Sequence, residues 1–388
     1  MTKFNISQYF LILLLLSISA SPPIANMLSV ILTLLLITNT SFRNSLISFF
    51  FTLQGKLLAC FILIIVTGAF YSKASFNIAI SEIWGWRKIL LLPLGYVVFL
   101  HSPDKKKQVG IIFVLTCSAL AILSIFMYFV GESNGIIVRN HSTQGLFFSV
   151  AVTVAFILLV KKIYYKNITR YLLILSIPLL LANIAIITES RSSFVALTGM
   201  LTIILIFERL NSLSSPKNVL LTFASLVTVI ACFALTPSSR ISINTAAKEF
   251  YLSKTVINTS SVGLRIQFLQ NTFEMIPQYY LIGAGTAGFQ AAYQEHIEKK
   301  HSSFSKTGDP HNQYLKILIE YGIIGLTIFL CLIFSFFRLN IDSESRLLLL
   351  CPLSGWLITS LANSHFSTFN EGWFIWLWLG IFSSKEKS

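Results

Sequence analysis

Residues 309–326 read DPHNQYLKILIEYGIIGL. A polar His-Asn pair stands directly ahead of an apolar run that continues to about residue 337. About 20 such residues are enough for a helix to cross a hydrocarbon layer of roughly 30 Å. Runs of this kind recur along the chain, which has 388 residues, 55% of them hydrophobic and 11% charged. A soluble domain carries about 25% charged residues, so this chain lacks the polar surface to cover a water-facing sphere. In lipid, every backbone polar group has to be satisfied within the segment, which leaves helices for runs of this length. The fold class read from the sequence is therefore an all-α polytopic integral membrane protein.

About twelve transmembrane helices are expected, at roughly 8–22, 24–39, 57–71, 87–101, 109–131, 143–160, 171–188, 194–207, 218–236, 315–337, 346–362 and 372–383. The N-terminus has a signal-peptide flavour, but a second apolar run follows at once after Pro22-Pro23, and the pair reads as retained spans. Placing Lys105, Lys161 and Lys217 in the cytoplasm concentrates Lys and Arg on that side, in keeping with the positive-inside rule. The chain then divides into nine helices over 1–236, one large periplasmic loop over 237–314, and three helices with a cytoplasmic tail over 315–388. A polar stretch as long as that loop is usually functional or has secondary structure of its own. Within it, GLRIQFLQNTFEMIPQ spaces Leu264, Phe268 and Phe273 near helical period, which predicts a helix lying on the membrane surface and stopping at Pro277.

Several function classes are set aside by the same pattern. The formal charge of +14 is spread over short loops beside spans, so nucleic-acid binding is not indicated. GAGTAG at 283–288 resembles a dinucleotide fingerprint, yet no strand-helix-strand unit surrounds it, and it reads as a loop. Cys60, Cys117, Cys232, Cys331 and Cys351 sit in apolar runs without metal spacing and read as buried packing residues. No metal-ligand cluster and no cofactor motif is visible.

The candidate residues lie at the expected outer boundary. Asp309 and Pro310 read as the N-cap and first position of a helix, which puts His311 in its first turn. The positive end of the helix dipole keeps such an imidazole neutral, and a neutral imidazole is a general base; an interfacial His bonded to lipid or backbone is the other reading. Arg191, in the short turn of TESRSSFVAL, either serves a site, pairs with Glu189 or snorkels to headgroups. Arg265 either binds phosphate with its guanidinium fork or attracts anionic lipid. Together a base and two arginines beside a bilayer suit a lipid-linked pyrophosphate. Arg139 and Asn312 are secondary candidates, along with His141, Arg87 and Lys88. The run from His296 to Lys306 reads as a basic loop, and His365 and Glu371 lie in the last outer loop without a motif. No acidic residue stands out as a partner for His311.

His311-Asn312, nine residues, Gly322, two residues and Gly325 resemble the His-Asn-x9-Gly-x-x-Gly signature of the O-antigen ligase family. Looser forms occur in O-antigen polymerases and protein O-oligosaccharyltransferases. SRSS at 190–193 and GLR at 263–265 are similar to family positions too, and the resemblance is best over roughly 180–330. It implies a metal-independent, inverting glycosyltransferase that moves polysaccharide from undecaprenyl pyrophosphate to a sugar hydroxyl of lipid A core. That reaction belongs to lipopolysaccharide biosynthesis on the periplasmic face of a Gram-negative inner membrane. By the resemblance, His311 activates the acceptor, Arg191 and Arg265 hold the donor pyrophosphate, and Gly322 and Gly325 let a neighbouring helix approach. An O-antigen polymerase joining lipid-linked repeat units is the alternative in the same chemistry. A lipid-linked sugar transporter is the alternative from another class; transport calls for broken helices or ionisable residues at mid-membrane, where this chain's spans are nearly free of charge.

Overall fold

The computed structural model describes residues 5–100, 102–131, 133–164, 166–210, 215–235, 261–300 and 305–384. Expectations for 236–260, for His301 and for the tail at 385–388 fall outside them. The described residues are helical and contain no strand. In chain order the helices are α1 (Ile6–Ala20), α2 (Pro22–Thr38), α3 (Thr40–Phe50), α4 (Leu53–Gly68), α5 (Phe76–Trp86), α6 (Leu91–Phe99), α7 (Pro103–Val130) and α8 (His141–Val160). They continue as α9 (Asn167–Asn183), α10 (Arg191–Leu210), α11 (Pro216–Leu235), α12 (Ser261–Tyr279), α13 (Gly288–Lys299), α14 (Gln313–Ser335), α15 (Ser343–Thr359) and α16 (Phe369–Ser383).

A helix stands at each of the twelve expected span positions, with α3 and α5, and α12 and α13 in the long polar segment, in addition. Among the described residues, five helices are long and apolar enough to cross a bilayer: Lys105–Val130, His141–Val160, Asn167–Thr188, Arg191–Leu210 and Gln313–Arg338. The count is six if α2 and α3, which meet at a 100° bend, form one span. Several others are apolar but shorter, such as Leu53–Gly68.

Helices apolar all round go to the centre of such a bundle. α8 and α16 are those helices, with nearly every residue of each buried. Phe147 of α8, Trp356 of α15 and Phe374 of α16 meet there in ring contact. α6 crosses α16 where two small residues let the backbones touch: a Cβ on Gly380 would lie 2.3 Å from the Leu92 carbonyl. Cys117 and Cys351 are buried as expected, whereas Cys60 and Cys331 lie on exposed faces.

The helix α12 covers the predicted surface helix but faces differently. Phe268 is buried with Met275 and Tyr279 against Phe289 and Tyr293 of α13 and Ile319 of α14. Phe273 points away and is exposed. Five residues separate Phe268 from Phe273, about 140° too far round a helix to share a face. The apolar face of α12 therefore packs onto protein. Pro277 does not stop the helix, which runs two residues further.

α14 is broken. Gly322 has φ +65° and ψ −170° inside it, a conformation reserved for glycine. The loop 280–286 docks at the break: Ala284 and Gly285 donate their N–H groups to Ile319 and Glu320 carbonyls at 2.7 and 2.9 Å, and Ile323 donates to Tyr280 at 2.7 Å. A Cβ at Gly322 would lie 2.1 Å from the Leu281 carbonyl oxygen. What comes close to Gly322 is thus the loop at Leu281 and Ile282, just ahead of GAGTAG; the expected approach of a neighbouring helix is not what the glycine accommodates. The span is also not free of charge, since Lys316 and Glu320 lie within it and Glu320 is buried. Lys316 sits 3.5 Å from Glu82.

Candidate functional site

Chain direction alternates through the bundle, so α8, α10, α14 and α16 start at one end. Side chains tie those starts together. Ser142 of α8 bonds Ser192 of α10 at 2.9 Å, and Thr143 of α8 donates to Glu371 of α16. Gln313 of α14 accepts from Phe366 and Ser367, just ahead of α16, at 3.0 and 3.1 Å. Each helix start carries the positive end of a helix dipole, so the end as a whole favours negative charge.

Arg191 is positioned by the serines around it. The preceding α9 ends in a π-turn over Ile184–Thr188, and Glu189 takes φ +43° to reverse the chain. Ser190 and Ser192 bond each other at 2.8 Å, and Ser149 of α8 donates to the Ser193 carbonyl at 3.0 Å. A Cβ on Gly145 would overlap the Ser193 side chain at 2.0 Å, so the glycine lets α10 seat on α8. With the serines turned inward, Arg191 at the head of α10 is exposed. Among the described residues it forms no ion pair, with Glu189 or any other carboxylate.

Arg265, near the start of α12, also lacks a carboxylate partner among the described residues. Burial lowers its pKa, and the Arg191 charge lowers it further. The two guanidiniums are therefore close enough to repel. Arg265 in turn acts on His311. One turn along α12, Phe268 stacks on the His311 ring, with centroids 6.1 Å apart and planes within 19°. Burial lowers the imidazole pKa from 6.5, Asp309 works against that, and Arg265 reinforces it. The three residues singled out from the sequence, His311, Arg191 and Arg265, thus share one electrostatic neighbourhood although 120 residues of chain run from first to last.

The cap differs from the expected one. Asn312, and not Asp309, is the N-cap of α14: its Oδ1 accepts from the Tyr314 and Leu315 N–H groups, both at 3.0 Å, and its Nδ2 donates to the Leu361 carbonyl at 3.0 Å. His311 therefore lies outside the first turn, in a left-handed conformation with φ +54°. Asp309 holds it there. Its Oδ1 accepts from the His311 N–H at 2.7 Å and from the Ser364 hydroxyl at 2.7 Å. The sequence pattern marks Asp309 as a cap and shows no acid for His311; in the structure this carboxylate is that acid, acting through the backbone and its charge. No spacing pattern could have revealed Ser364, 55 residues away.

A second polar cluster adjoins the first. Arg139, at φ +46°, pairs with the buried Glu371 at 3.0 Å. Glu371 also accepts from Thr368 at 2.8 Å and lies 4.0 Å from His365. His365 is buried, and neither ring nitrogen has a hydrogen-bond partner among the described residues. Arg139 is thus partly neutralised where the sequence left it as a free candidate. His141 faces the Thr188 carbonyl at 3.2 Å. Lys88 is buried and donates to the carbonyls of Ser367 and Thr368. The basic stretch ahead of α14 is also paired: Glu274 holds His296 and Lys300, and Glu295 holds Lys299 and Lys73.

The fold and this site define a multi-helix protein of the membrane class, with two arginines that have no carboxylate partner among the described residues beside a half-buried histidine at one end. Residues 175–330 match the family model described as O-antigen ligase, which supports the O-antigen ligase family for this chain. The matched range contains Arg191, Arg265 and His311 and excludes Arg139, His365 and Glu371. Over 283 residues the chain is 25% identical to an uncharacterized protein of Haemophilus influenzae (strain ATCC 51907 / DSM 11121 / KW20 / Rd), covering 67% of this chain and 66% of that one.

Proposed function

We propose that the protein is an O-antigen ligase, a glycosyltransferase moving polysaccharide from undecaprenyl pyrophosphate to a sugar hydroxyl of lipid A core. The observation that carries the reading is the grouping of Arg191, Arg265 and His311. Two guanidiniums held near each other without a carboxylate are costly until an anion joins them, and a diphosphate suits their forked donors. The neutral imidazole accepts the proton of the acceptor hydroxyl as its oxygen attacks the anomeric carbon. The bond from that carbon to the diphosphate oxygen breaks, and the arginines and helix starts stabilise the charge on the leaving group. Attack opposite the leaving group inverts the anomeric centre. Asp309 favours the imidazolium that forms, and no step in this scheme calls on a metal or cofactor.

In this reading the helices make about twelve spans in a Gram-negative inner membrane, and the site faces the periplasm. The excess of Lys and Arg in the opposite loops supports that orientation. The segment 237–314 is then the periplasmic loop, with α12 and α13 inside it, between helical blocks at 1–236 and 315–388.

The test is a strain lacking the gene, complemented with wild type or His311→Ala. Ligase activity predicts that the variant loses the polysaccharide ladder on lipid A core while lipid-linked polymer accumulates. Core carrying a single repeat unit points to a polymerase instead, and a normal ladder from both proteins overturns the assignment of His311.

A further inference from the structure

Where α14 and α16 end, at the far end of the bundle from His311, they meet the start of α4 around a cavity of about 390 Å³. Phe49 of α3 and Tyr96 of α6 line one side of it, their ring centroids 5.1 Å apart. Thr52 and Gln54 at the start of α4, and Arg338 and Asn340 just beyond α14, supply polar groups. Two bonds fix this corner. Gln54 Nε2 donates to the Ser335 carbonyl at 3.1 Å, and Arg346 of α15 donates to the Leu339 carbonyl at 2.7 Å.

The charge around the cavity is one-sided. Among the described residues, none that lines it is acidic, and Arg338 is exposed without a carboxylate partner. The acids on the turn that follows are engaged elsewhere. Asp342 caps α15 by accepting from the Ser345 N–H at 2.8 Å, and Glu344 pairs with Lys107. Ser383, at the end of α16, also lines the cavity, and the buried Lys106 donates to the carbonyl of the next residue, Ser384. The start of α4 adds its positive dipole end. A partly enclosed cleft of one sign concentrates ions of the other. Arg338 also closes the membrane-length apolar stretch Gln313–Arg338, the depth at which basic side chains meet lipid headgroups. Leu53 of the lining and Phe51 beside it are exposed on the outer surface, an apolar path along which a hydrocarbon chain can leave.

We propose that this cavity binds the phosphate of an anionic phospholipid headgroup, with Arg338 as its ion partner, in a site separate from the one around His311. The guanidinium fork offers two donors to phosphate oxygens. Thr52, Asn340 and Tyr96 offer hydroxyl and amide groups to the rest of the headgroup. The site stands independently of the transferase reading, since none of its residues takes part in that reaction.

The test uses the full chain in uncharged detergent at physiological salt, with a radiolabelled short-chain phosphatidylglycerol. Arg338→Gln removes the ion partner, and Asn340→Trp plugs the mouth. Both positions are exposed, so the packing of the bundle is left alone. Arg43→Gln is the control, because Arg43 is exposed on α3 and lies outside the lining. Binding roughly tenfold weaker in the first two, with Arg43→Gln unchanged, is the expected result. Equal losses in all three mean diffuse attraction to a basic surface and overturn the site. Unchanged binding in Arg338→Gln and Asn340→Trp does the same. Competition on the wild type identifies the ligand without any variant. Phosphatidylcholine competing as well as phosphatidylglycerol overturns the anionic headgroup. Inorganic phosphate or glycerol 3-phosphate competing as well as the lipid makes the ligand a soluble phosphate and overturns the lipid assignment.

Discussion

Gly322→Ala is expected to undo the docking of the 280–286 loop onto α14. The glycine sits at φ +65° and ψ −170°, and an added Cβ would lie 2.1 Å from the Leu281 carbonyl oxygen. Holding alanine in that conformation costs about 1–3 kcal/mol. Backing the loop away breaks some of the three backbone bonds at 2.7, 2.9 and 2.7 Å that join it to Ile319, Glu320 and Ile323. Each contributes about 1 kcal/mol net, and more if a group is left buried and unpaired. Strain plus two lost bonds gives about 4 kcal/mol, nearly a thousandfold in the equilibrium between docked and undocked loop. Gly131→Ala is the control, because Gly131 also has positive φ, +80°, but nothing lies within 4 Å of its Cβ position. The assay is limited proteolysis of the loop in detergent micelles, with thermal unfolding in parallel. Equal effects of the two substitutions would refute the argument that loop docking, and not φ alone, requires glycine at 322.

Asn312→Asp is expected to retain the cap of α14 and most of its stability, while Asn312→Ala loses about 1–2 kcal/mol in thermal unfolding, since the Oδ1 bonds belong to the helix. Glu371→Ala strands Arg139 and removes the acceptor for Thr143 and Thr368; Arg139 is 43% exposed, so the loss is about 2 kcal/mol and not the larger penalty of a fully buried charge. Transfer activity should fall as pH drops through a His311 pKa below 6.5, because protonation removes the base and burial depresses that pKa. Asp309→Asn withdraws the charge that opposes this depression, so its acid limb should move to lower pH; an acid limb unmoved or shifted upward counts against the electrostatic role of Asp309. Lys299→Ala, which removes an exposed i, i+4 pair with Glu295, should change stability by less than about 1 kcal/mol.

The sequence by itself determined that the chain is helical and membrane-like, and where its apolar helices fall. Hydrophobic runs are local, and in lipid the backbone has to satisfy itself locally, so each run carries its own answer. His311, Arg191 and Arg265 were legible for a related reason. Charged and polar residues next to apolar runs stand out, and the motif around His311 is short. Tertiary structure alone decided what those residues touch. The stacking of Phe268 on His311, the tie from Asp309 to Ser364 and the pairing of Arg139 with Glu371 join segments tens to hundreds of residues apart. No local propensity encodes them. The break at Gly322 is the sharpest case: glycine in an apolar run reads as a place for close packing. Only the loop from residues 280–286, which arrives to take up the freed carbonyls, turns that permission into a break.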